Sequence, residues 1–176
     1  MMPAPGNRVA MALGMIALTV AALAVGITLA GPDGSVSHDA NPQLLYFAEA
    51  IKLASGALML AFALKSSEVP AAWRMLGFTG GALMALAGAI ALAAIAGPAP
   101  ALGQLVTPVA LAGLAATAAW MAGQAQALRR GKLALLAMGL GLTALLALAV
   151  PPAGFLAALL ALVGWTWLAA AYRRGS

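Results

Sequence analysis

The chain has 176 residues, 64% of them hydrophobic and 7% charged, with a mean hydropathy of +1.02 and a formal net charge of +5. A soluble domain carries roughly 25% charged residues, so this composition excludes a water-facing surface and makes lipid the solvent. With no cysteine and one histidine, it also excludes disulfides, thiolate nucleophiles, Cys-ligated metal or iron–sulfur centres and a bis-histidine haem within one chain.

A spanning helix needs about 20 apolar residues, because a rise of about 1.5 Å per residue must cross roughly 30 Å of hydrocarbon. Residues 9–30 form a first, uncharged span. "TLAG" at 28–31 faintly resembles a signal cleavage site, but the apolar run exceeds the about 7–15 residues of a signal core. The segment is expected to stay uncleaved. Residues 44–64 form a second span that holds Glu49 and Lys52. The uncharged stretch from Met75 to Leu128 would make a single helix of roughly 80 Å. "GPAP" at 97–100 therefore divides it into spans 75–96 and 101–124, since Gly and Pro break helices. "PP" at 151–152 divides the last apolar stretch into 133–150 and 153–172. The expected fold is an all-α integral membrane protein, a six-transmembrane-helix bundle making one domain over residues 1–176.

Six spans put Arg8, Lys65, Arg74, Arg129, Arg130, Lys132, Arg173 and Arg174 on one side, and no Lys or Arg in the other three connections. The positive-inside rule makes that side cytoplasmic, with both termini there, in a bacterial-type inner membrane. The same segregation accounts for the pI near 10.5 without nucleic acid as a partner. Trp73, Trp120, Trp165, Trp167 and Tyr172 fall near the cytoplasmic helix ends, where amphipathic rings anchor at the headgroup layer. "GGALMALAG" at 80–88 and "GLAATAAWMAG" at 113–123 supply small residues that let helices approach closely in lipid.

Glu49 and Lys52 lie about 60° apart on a helical wheel, on a face shared with Leu45, Gly56 and Ala63. They sit roughly 8 and 12 Å below Leu44 in the outer half. An intramembrane charge costs several kcal/mol, and an i,i+3 pair lowers that cost. Ser55 lies one turn further on. Gln104 and Thr107 open the fourth span, where Pro108 deprives the Gln104 carbonyl of its helical partner. Thr28 ends the first span. These six residues, Thr28, Glu49, Lys52, Ser55, Gln104 and Thr107, are the candidate lining of a substrate- or ion-binding pocket open to the outer face. The pair alone reads equally as a structural lock between helices.

The loop "GPDGSVSHDANPQ" at 31–43 holds the one histidine. Asp33, His38 and Asp39 are its candidate metal ligands, without a recognisable site spacing, and a solvated turn is the simpler reading. No catalytic set is expected: there is no Ser–His or His–Glu–His arrangement, no phosphate loop, and Lys52 is ill placed for a retinal-type Schiff base. No cofactor is expected either.

Two functions fit these features. The first is a non-catalytic accessory or assembly subunit, whose partners are the lipid bilayer and other membrane-protein subunits or further copies of itself. The second is a small-molecule or ion transporter or binding subunit. In size and topology the chain is similar to the substrate-binding subunits of energy-coupling vitamin transporters. That likeness implies six helices, cytoplasmic termini and an outer pocket.

Overall fold

A computed structural model of the protein describes residues 5–29, 41–97, 100–150 and 152–174. Six α-helices account for most of them: α1 (Pro5–Leu29), α2 (Pro42–Lys65), α3 (Ala71–Ala96), α4 (Gly103–Ala127), α5 (Gly131–Leu146) and α6 (Ala153–Arg174). Among the described residues there is no strand. Five of the helices are long and apolar enough to cross a membrane.

The exception is α5, with 16 residues, about 24 Å. The sequence leads one to expect a helix through Val150. Instead α5 relaxes after Leu146 into i→i−3 bonds, Leu148 N–H to Leu145 O and Ala149 N–H to Leu146 O. Val150 precedes Pro151, whose ring disfavours helical backbone in the residue before it. The polypeptide stays hydrogen-bonded through the turn, with Ala153 N–H donating to Val150 O at 2.9 Å. At the other helix starts, local chemistry extends the expected bounds. Pro42 sits at the head of α2 behind Asn41, whose side chain accepts from Gln43 N–H at 3.0 Å. That is an N-cap followed by a residue preset for the first turn. Pro70 stands at the N-cap of α3 without a side-chain cap, and its carbonyl accepts from Arg74 N–H at 3.1 Å.

The helices pack in chain order, α1 on α2 through α5 on α6, and α6 returns to α1. The ring is tightest on either side of α3, where glycines replace side chains with backbone contact. A Cβ on Gly56 of α2 would meet Ala85 N and Gly81 O of α3, and one on Gly80 of α3 would meet Thr117 and Gly113 O of α4. In lipid such close approach supplies the dispersion that holds helices together.

The aromatic residues depart from the expected belt. Trp120 and Trp165 are buried, as is the Tyr172 ring. They surround Phe62, which meets Trp120 edge-on at 5.1 Å and Trp165 stacked at 6.0 Å. Offset and edge-on rings contribute about 0.5–1.5 kcal/mol per pair beyond their buried area. Met59 and Met121 fill the gaps around them. Trp167 alone of the four tryptophans is exposed. Amphipathic rings suit a core and a headgroup layer equally well, so their position near helix ends did not discriminate between the two.

Candidate functional site

Glu49 and Lys52 stand three residues apart in the second and third turns of α2. The spacing brings the Lys52 ammonium onto the carboxylate, with Nζ 2.6 Å from Oε1 and 2.7 Å from Oε2. Glu49 is buried, 8% exposed, and the Lys52 side chain is 30% exposed. Gly88 of α3 lets its helix pack directly on the backbone at Glu49 and Leu53, which explains the burial at this level. An ammonium has three N–H donors, and this carboxylate takes two of them. The two opposite charges meet each other, and one Lys52 N–H is left over on the exposed side of the pair.

The other expected lining residues are not brought to it. Ser55 is half-buried and makes no hydrogen bond to the pair. Gln104 and Thr107 are exposed at the head of α4, which packs on α3 and α5, so α3 stands between them and α2. Pro108 lies inside α4 as expected. Thr28 is exposed and donates to Ala24 O at 2.9 Å. Thr19, Thr117, Thr143 and Thr166 make the same i−4 bond. Hydroxyls satisfied this way cost little in a medium without water. Asp33, His38 and Asp39 lie outside the described residues.

A second polar cluster, absent from the sequence reading, lies at the opposite end of the bundle. Arg8 of α1 pairs with Glu68, in the turn after α2, at 2.8 Å. Its guanidinium carbon is 5.6 Å from the centre of the Tyr172 ring on α6, a cation–π contact. Tyr172 Oη lies 3.1 Å from Glu68 Oε1 and 2.5 Å from the side-chain amide of Gln124 on α4. A phenol has one proton and cannot donate to both. With the Gln124 amide turned so that Nε2 donates to Tyr172 Oη, Tyr172 donates to Glu68 and the otherwise unpartnered Nε2 is satisfied. Ser66 donates to Phe62 O at 2.8 Å beneath this cluster.

No protein family, curated protein or solved structure matches this chain. Function must therefore be argued from these sites. The Arg8 cluster ties three helices and a turn through an ion pair, a cation–π contact and the hydrogen bonds of Tyr172, with Arg8 Nε left unpartnered. Its chemistry is cross-linking. The only sequence signal for it was one glutamate in an end of the bundle otherwise rich in cations. Tyr172 is separated from its acceptors by 104 and 48 positions, and no local spacing rule reaches that far.

Proposed function

We propose that this chain is a non-catalytic accessory or assembly subunit of a complex in a bacterial-type inner membrane, with both termini in the cytoplasm. The Glu49–Lys52 pair supports this reading most directly, because both carboxylate oxygens accept from Lys52 of the same helix. A transport or binding site gathers polar groups around its ligand, and among the described residues the expected lining Gln104, Thr107 and Thr28 is dispersed and exposed. The orientation rests on the eight basic residues that six spans collect on one side. The Arg8–Glu68–Tyr172 contacts support the shared side, since they join the start of α1 to the end of α6.

Extraction in a mild detergent followed by native mass spectrometry tests the proposal. A second membrane protein, or further copies of this chain, at fixed stoichiometry is the expected result. A solitary chain that retains a small molecule would overturn it in favour of a small-molecule or ion transporter or binding subunit around Glu49 and Lys52.

A further inference from the structure

The geometry points to a binding site for the phosphate headgroup of an anionic phospholipid, between the turn joining α4 to α5 and the last turns of α6. A cavity of about 520 Å³ opens there, lined by Arg129, Arg130, Lys132, Leu133, Trp167 and Arg174 among others. Four cationic residues thus line one hollow. Neither described carboxylate neutralises them, because Glu49 is held by Lys52 and Glu68 by Arg8. Arginine forks match phosphate oxygens in pairs, and basic pockets between membrane helices suit anionic headgroups.

Orienting the protein in a membrane requires cations in loops but not that they line a cavity. A backbone observation sharpens this difference. Arg129 has φ of 52°, in the left-handed region that side chains disfavour. It closes α4 through Arg129 N–H to Gln126 O at 3.1 Å and Arg130 N–H to Ala125 O at 2.8 Å. This closure ordinarily has glycine at the left-handed position. Here a residue in an unfavourable backbone conformation is an arginine that lines the hollow, and strain retained at one residue points to a role for its side chain.

A lipid suits the surroundings better than a soluble phosphate. Trp167 on the wall is 41% exposed, and Leu135, one turn along α5, is 70% exposed. Indole favours headgroup depth, and the outward apolar side chains of α5 continue from the hollow as a track for acyl chains. The headgroup phosphate therefore seats among the four cations while its tails lie outside the bundle.

Native mass spectrometry of the full chain in mild detergent, titrated with phosphatidylglycerol or phosphatidylcholine, tests the site. One phosphatidylglycerol retained in preference to phosphatidylcholine is expected. Arg129→Gly, Arg130→Gln and Lys132→Gln should each weaken that binding about fivefold. Glycine is unstrained at this φ, so Arg129→Gly keeps the fold and its loss of binding is not a folding defect. Lys65→Gln removes an exposed cation of the same set that does not line the hollow and should leave binding unchanged. Equal retention of the two lipids would overturn the site, as would a Lys65→Gln effect as large as that of Arg130→Gln. Displacement of the lipid by equimolar inorganic phosphate would also overturn it, reassigning the hollow to a soluble anion.

Discussion

Gly56→Ala and Gly26→Ala make the same chemical change at two helix positions, and the structure assigns them opposite signs. At Gly56 the added methyl would overlap Ala85 N and lie 2.6 Å from Gly81 O and 2.8 Å from Ala85 Cα. All three are backbone atoms, so no rotamer change relieves them. Reaching ordinary contact requires α2 and α3 to part by about 1 Å, which forfeits roughly a quarter to a half of the dispersion between the facing atoms. Overpacking of this kind costs about 3 kcal/mol, of which alanine's helix preference returns about 1. A net loss of about 2 kcal/mol is expected. At Gly26 the methyl would lie 3.5 Å from Phe155 Cε1, an ordinary contact, so helix preference acts alone and the protein gains about 0.5–1 kcal/mol. Unfolding of each purified variant by denaturing detergent added to mild-detergent micelles, followed by circular dichroism, gives the two differences. The packing account fails if Gly56→Ala is as stable as the parent, or if Gly26→Ala is destabilised to the same degree.

Lys52→Met leaves the Glu49 carboxylate buried without its cation and should cost about 3 kcal/mol in the same assay, while adding Glu49→Gln should restore most of it; additive losses would contradict a lock. Tyr172→Phe removes the hydroxyl between Gln124 and Glu68 and should cost about 1–2 kcal/mol, with an unchanged midpoint counting against the network. Arg129→Gly should raise stability by about 1 kcal/mol by relieving the left-handed backbone, and a loss of stability would show that the turn is not strained. In single-tryptophan variants, brominated lipid should quench Trp167 strongly and Trp120 weakly, because the first is 41% exposed and the second fully buried; equal quenching would place the aromatic core wrongly.

The number of helices was readable because run length and Gly–Pro breaks act locally, and lipid demands about 20 apolar residues per crossing. The α5 terminus was less so. Pro151 marked the break, but the loosened turn between Leu146 and Val150 depends on how far backward its influence reaches. The Glu49–Lys52 pair was readable for the same local reason, three residues being almost one turn. What surrounds it was not. Gln104 and Thr107 share its expected depth, yet helix order in the ring puts α3 between them, and depth along a helix says nothing of azimuth around a bundle. Glu68 stands in the connection after the second span, where no local spacing rule singles it out. Its value came from Arg8 and Tyr172, which the chain brings together only after folding.

Because α6 packs against α1 and Tyr172 meets Glu68 and Gln124, α6, made after α1 to α5, is the helix that shuts the ring. During synthesis the earlier helices enter the bilayer with one flank of α1 uncovered. Arg8 and Glu68 are in place long before the phenol that joins them. A chain stalled before α6 would therefore present an open seam and an exposed aromatic core to neighbouring helices. Such a seam is a mark by which a quality-control protease or an assembly partner distinguishes the open ring, and insertion of α6 erases it.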